Sequence, residues 1–165
     1  MVGCFIIAYL CAFLITSYVV QLDYVMGTSM ENTLMNKDCL VVNKFVYHFS
    51  SPDRFDIVIF PHETDTYYIK RIIGLPGETV QIKEDGTIWI DGELLEENYG
   101  KEPILNPGNA IEPLELGDNE YFVLGDNRNE SSDSRFDSVG MVHQRDILGK
   151  VVARVFPFQR MQTID

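Results

Sequence analysis

The chain has 165 residues, 45% of them hydrophobic, and its 25 acidic against 13 basic residues give a formal net charge of -12. Every charged side chain lies after Leu22. That balance excludes nucleic acid as a partner and excludes a polybasic grip on anionic lipid, because both need clustered Lys and Arg.

The first element is an uncharged apolar run from Val2 to Val20. At about 1.5 Å per residue it is about 28 Å of helix, close to the hydrocarbon thickness of a bilayer. A cleaved secretory signal would have a basic start, a shorter apolar core and a small-x-small exit, whereas this run has no preceding Lys or Arg and exits through SYVVQLDY. The sequence therefore predicts a transmembrane anchor over residues 1–22, in contact with membrane lipid, whose orientation charge alone leaves open. Cys4 and Cys11 fall in this segment and Cys39 stands alone beyond it, so no disulfide framework is expected. His48, His62 and His143 are scattered, with no ligand spacing, so neither a metal nor a cofactor is expected.

Ser29 follows in MGTSMENTL, nine residues past the apolar run. Gly27 and Thr28 are small enough to allow close backbone approach, and Gly27 has access to dihedral angles closed to other residues. The Met30 side chain points to the core or to the lipid interface. Taken alone, this stretch is an ordinary juxtamembrane turn.

The remaining 23–165 read as one domain, strand-rich and all-β. Short apolar runs (CLVVNKFVY, FDIVIF, YYIKRII, TVQIK, TIWI, EYFVLG, ILGKVVARVFPF) are separated by Asp-Gly, Pro-Gly and Gly-Asp breaks. Asp85-Gly86 and Asp91-Gly92 flank TIWID and are the strongest hairpin signals. The expected architecture is an antiparallel β-sheet domain with a small hairpin and loop cap over about 82–118, preceded by the single helix.

Lys70 sits on the YYIKRII strand, which ends in Gly and Pro. An ordinary lysine titrates near 10.4 and cannot accept a proton at neutral pH; bringing it down takes about 3 to 4 kcal/mol of environmental bias, which burial can supply. Strand alternation groups Lys70 with Tyr68 and Ile72, and Arg71 with Ile69 and Ile73, and so leaves open which cation is buried. Chemistry favours lysine as a base, because arginine stays charged. A serine and an amine base together form a pair able to cleave peptide bonds beside a membrane. The plain alternative for Lys70 is a snorkelling strand lysine.

GDNRNESSDSRFDS is too polar for a strand and too rich in Asn, Asp and Ser for a helix, so an ordered loop is expected. Asp126, Arg128, Asp133 and Arg135 offer pairable charges, and Ser131 or a neighbour is available to accept from the lysine amine.

Four of these segments, in order, resemble the bacterial type I signal peptidases, a Ser-Lys dyad family. GTSMENTL is similar to its serine box, FDIVIFP to a structural strand, YIKRIIGLPGE to its lysine box and GDNRNESSDSRFDSVG to its polar signature. The closing GKVVARVFPFQR resembles the family's end, and the single span resembles its Gram-positive branch. The resemblance implies an integral membrane serine endopeptidase that removes signal peptides from exported preproteins at the outer face of the cell membrane, near the translocon. It implies Ser29 as nucleophile, Lys70 as general base, Ser131 orienting the amine, and Asp133 with Arg135 as a supporting ion pair. It also implies selection of small residues before the cut. Met30, Ile57, Ile59 and Tyr68 are expected to line the substrate surface.

Three positions depart from the family. Gly27 stands where some relatives carry an oxyanion-stabilising hydroxyl, leaving the Ser29 N–H as main donor. Asn32 replaces a usual proline, which is expected to loosen a fixed backbone angle. Glu78 replaces an aspartate, a mild change. Two rivals stand beside this reading. A Ser-His-Asp hydrolase would need one of the three histidines in a triad setting, and a non-catalytic scaffold for pilus or surface-protein assembly would be expected to lose Ser29 or Lys70.

Overall fold

Two antiparallel sheets account for the strands that the hydrophobic runs predict. The computed structural model describes residues 19–62 and 66–164, together with Phe5, Ile7 and Tyr9. The expected anchor lies almost entirely outside the described residues, and no helix among them is long and apolar enough to cross a membrane.

In chain order the strands are β1 (Val20–Tyr24), β2 (Cys39–Asn43), β3 (Ile57–Pro61), β4 (Tyr67–Gly74), β5 (Thr79–Ile82) and β6 (Ile88–Ile90). They continue with β7 (Glu93–Leu94), β8 (Leu114–Glu115), β9 (Glu120–Leu124), β10 (Val142–His143), β11 (Gly149–Phe156) and β12 (Gln162–Thr163). The large sheet runs β1-β2-β11-β3-β4-β9-β10, with β12 paired to β11; the small sheet runs β7-β6-β5-β8. The sheet boundary corrects one expectation. Val20, Gln21 and Leu22, assigned by sequence to the anchor, belong to β1 and pair with Asn43, Val42 and Val41.

Alternation explains the small sheet. Val80 and Ile82 of β5 are fully buried and lie in register with Ile90 and Ile88 of β6, while their neighbours stay partly exposed. Asp91 and Gly92 turn β6 into β7 at φ 51 and 81, the paired positive angles that a two-residue hairpin needs. Gly86 has φ 83, and a β-carbon there would lie 2.6 Å from the Ile104 carbonyl oxygen, so the turn admits only glycine. Residues 79–115, which overlap the expected 82–118 excursion, divide into two parts. One is this sheet; the other is a strap over 95–110 that packs back onto the 125–135 loop.

The core under the Ser29 side is built from Val25, Met30, Leu34, Leu40, Ile57 and Val151. Met30 therefore resolves toward the core, 1% exposed. Beside this cluster the fully buried Asp38 accepts from Arg154 at 3.0 Å, Arg160 at 2.8 Å and the Met35 N–H at 2.9 Å. Arg154 also donates to the Thr33 carbonyl at 2.9 Å, so the end of β11 is fastened to the turn that follows Ser29. Replacing Asp38 with Ala leaves two arginines without their carboxylate, and urea unfolding is expected to register a loss of about 3 to 5 kcal/mol.

Candidate active site

Lys70 and Ser29 meet although 41 positions separate them, with Nζ 2.7 Å from Oγ. Strand β4 supplies the lysine. Its neighbour Arg71 is buried as well, so the alternation that left the choice of cation open is answered by both residues: Lys70 is 3% exposed and Arg71 1%. What separates them is pairing. Arg71 donates through Nε and Nη2 to the two carboxylate oxygens of the fully buried Asp126, at 2.9 and 2.7 Å. Among the described residues Lys70 makes no ion pair, and burial lowers its pKa to about 8. Asp133 and Asp126 act against that shift and Arg135 with it, but desolvation is the larger effect.

The 125–135 loop grips the backbone around Ser29. The Asn127 N–H donates to the Ser29 carbonyl at 3.0 Å, and the Asn127 side-chain amide donates to the Thr28 carbonyl at 3.1 Å. Gly125 makes this approach possible, since a β-carbon there would overlap the Ser131 hydroxyl and lie 2.5 Å from the Ser29 carbonyl oxygen. The predicted Asp133–Arg135 pair forms, buried on both sides, with Nε 2.7 Å from Oδ1. Arg135 also donates to the carbonyls of Arg128 and Asn106, and Asp133 accepts from the Gly125 N–H. Arg128 pairs with Glu97 of the strap at 2.7 Å.

Three expectations are corrected by this geometry. The Ser131 hydroxyl is buried and makes no hydrogen bond among the described residues, so the expected bond to the lysine amine is not formed here. Asn32 is not loosened. It holds φ 102, an angle proline cannot take, and its amide donates to the Tyr99 carbonyl at 3.0 Å. Gly27 has φ 101 in open space, so its requirement is angular and not steric. The Glu78 exchange is benign: its carboxylate takes Arg54 and the Leu75 N–H.

A cleft of about 540 Å³ opens over the pair. Residues Asp23 to Met30 form one wall, and Tyr67 to Lys70 with Ile59 form the other. Of the residues expected at the substrate surface, Met30, Ile59 and Tyr68 line it; Ile57 does not, because it lies two residues along β3, opposite Arg71 and beyond the wall formed by Tyr67 to Lys70. Tyr68 covers the amine, its ring centroid 4.9 Å from Nζ, and stacks on His62 at 4.1 Å. No histidine among the described residues hydrogen-bonds Ser29; Lys70 does. Sequence reasoning missed Arg71, Thr33, Tyr99 and Gly125 as parts of the site. Thr33 joins Asp126 and Arg71 at 2.5 and 3.2 Å, and Tyr99 covers the Arg71 guanidinium at 3.8 Å.

Chemically, a neutral amine at this distance accepts the hydroxyl proton. The neutral form is bought with stability. The folded pKa lies below the unfolded one, so the folded state binds fewer protons between about pH 8 and pH 10.5 and gains stability as pH rises through that window; below it the full penalty of about 3 kcal/mol remains. Lys70→Met is accordingly expected to unfold at higher denaturant than the parent at neutral pH, by about 3 kcal/mol, with the gap narrowing toward pH 10.5.

A sequence model of the signal peptidase, peptidase S26 family matches residues 1–156. A signal peptidase I of Leptolyngbya laminosa is 40% identical over 157 residues, covering 89% of this chain and 74% of that protein. Signal peptidase I P of Bacillus subtilis subsp. natto is 36% identical over 165 residues, covering 95% and 88%. The crystal structure of a signal peptidase I from Enterococcus faecalis V583 is 36% identical with a TM-score of 0.51, the match covering 61% of this chain and 97% of that one.

Proposed function

The chain belongs to the signal peptidase family, peptidase S26, and from that membership we propose that it is a membrane-bound serine endopeptidase that cleaves N-terminal signal peptides from exported preproteins, with Ser29 as nucleophile and Lys70 as general base. One observation carries the reading: a buried amine with its pKa lowered to about 8 lies 2.7 Å from a serine hydroxyl at the floor of an open cleft. At pH 7 about one such amine in ten is neutral, against about one in three thousand for an ordinary lysine. The neutral amine takes the Ser29 proton as Oγ attacks the scissile carbonyl carbon. The Ser29 N–H, which has no acceptor among the described residues, donates to the oxygen that becomes negative. The Lys70 ammonium protonates the leaving amine as the C–N bond breaks and leaves the acyl group on Oγ; the neutral amine next draws a proton from water, whose oxygen attacks the acyl carbon, and the ammonium returns that proton to Oγ as the ester bond breaks.

The cleft suits an extended peptide. Among the described residues strand β1 pairs only with β2, and residues 67–70 of β4 pair only with β3, because the β9 register begins at Arg71. Both walls therefore offer backbone to a bound strand. Ile59, Ile69, Val25 and Met30 between them leave shallow apolar space that favours small side chains. The rim from Asp23 to Met26 begins three residues after the apolar run ends at Val20. With the apolar run that precedes β1 as a single span and the β domain on the extracytoplasmic side, the cleft lies at the bilayer surface, where a translocated signal peptide emerges. A scaffold would have no need of a desolvated lysine, which costs stability and adds no packing.

Cleavage of a preprotein in detergent micelles tests this. Ser29→Ala and Lys70→Ala are each expected to lower kcat/KM by at least about a thousandfold, while substitution of His48, His62 or His143 leaves it within about threefold. Undiminished cleavage by Ser29→Ala contradicts the reading. The rate of the parent is expected to climb about tenfold per pH step below about pH 8 and to level above it, since the neutral amine is the working form.

A further inference from the structure

Two residues beside the dyad hold left-handed backbone angles despite carrying a β-carbon: Asn32 at φ 102 and Phe55 at φ 74. Asparagine tolerates this region better than most residues, and a phenylalanine there is a true outlier. Such strain persists only where neighbours over-determine it. Here both residues meet Tyr99. The Asn32 amide donates to the Tyr99 carbonyl at 3.0 Å, and the Phe55 ring centroid lies 5.0 Å from that of Tyr99. Between them the Arg71 guanidinium sits against the Tyr99 ring and donates to the Phe55 carbonyl at 2.9 Å.

Asn32 is the third residue of a turn closed by the Thr33 N–H on the Met30 carbonyl at 3.1 Å, immediately after Ser29. A positive angle at that position lets the chain double back toward the core. The strap adds two further fasteners: Lys101 Nζ meets Glu31 at 2.9 Å, and the Lys101 N–H donates to the Asp126 carbonyl at 2.7 Å. One short stretch of strap thus holds both the Ser29 turn and the loop that carries Asp126.

We propose that Asn32 and Tyr99 are positioning residues: the left-handed turn at Asn32, latched onto the strap at Tyr99, sets the Ser29 hydroxyl against the Lys70 amine. This rests on the dyad reading given above. The Asn32 bond acts on the serine side, since Lys70 is carried by β4 and covered by the Tyr68 ring of the same strand. Breaking it lowers kcat and leaves KM and the pH midpoint in place.

The test is steady-state cleavage by the full chain in detergent micelles across neutral and alkaline pH, with thermal unfolding of each variant. Asn32→Gly keeps the angle and loses the amide bond, so kcat falls about threefold; Asn32→Ala loses both and falls about tenfold. Asn32→Pro, fixed near −65°, falls at least about a hundredfold. Tyr99→Ala keeps the backbone carbonyl that Asn32 meets but removes the ring that packs on Arg71 and Phe55 and holds that carbonyl in place, so kcat falls about tenfold; Tyr99→Phe keeps the ring and the activity. The pH midpoint stays at about 8 throughout. Undiminished kcat in Asn32→Ala, losses confined to KM, or a moved midpoint overturns the inference. Should Asn32→Pro fail to fold, the order of Gly over Ala decides, and Ala equal to or above Gly overturns it. An inactive parent chain overturns the dyad reading and this inference with it, whereas an active parent with fully active Asn32→Ala overturns the inference alone.

Discussion

Burial of one unpaired amine is the constraint around which the rest of the site is organised. Lys70 and Arg71 are adjacent, both cationic by default and both withdrawn from water. A buried cation is tolerable when a carboxylate meets it, and Arg71 has Asp126 on two bonds. Among the described residues Lys70 has a serine hydroxyl and no carboxylate partner, and desolvation pushes it toward the neutral form. The carboxylates that raise the lysine pKa, Asp133 and Asp126, are each engaged by an arginine. Arg135 acts against their pull, and burial remains the larger effect.

The same charged pairs fix geometry. Arg71–Asp126 ties β4 to the 125–135 loop, Asp133–Arg135 closes that loop on itself, and Arg154–Asp38 ties β11 to the turn after Ser29. Each is buried, and buried pairs are poor sources of net stability. Their value is in specifying one arrangement of β4, β11 and the 125–135 loop around a turn that belongs to no strand. The Ser29 turn has contacts from all three: Thr33 from Arg71, the Ser29 carbonyl from Asn127, and the Thr33 carbonyl from Arg154. A nucleophile on a turn gains by such fastening the precision that strand residues have from their ladder.

How much of this the sequence discloses depends on the range of the interaction. The all-β class and the Asp91-Gly92 turn follow from local pattern and from the angles that Asp-Gly permits. Ser29 and Lys70 are legible through chemistry, since a base must be able to lose its proton. The loop composition offers Asp126, Arg128, Asp133 and Arg135 as pairable charges, and the family resemblance singles out the Asp133–Arg135 pair. Arg71 is not, because alternation assigns it only a face and its partner lies 55 positions away. Asn32 reads as a loosened proline site until its angle and its bond to Tyr99 are seen, and both depend on a strap 67 positions on. The Ser131 hydroxyl and Ile57 go astray for a related reason: composition does not reveal which group a loop hydroxyl meets or how far along β3 the cleft wall extends.

The most direct measurement is the titration of the Lys70 side chain itself, followed through the chemical shift of its ε-carbon in selectively labelled protein. The account requires a midpoint at about 8, separate from the bulk of the lysines near 10.5. A Lys70 signal that titrates with the others would contradict it, because the amine would then be protonated at neutral pH and could not receive the Ser29 proton.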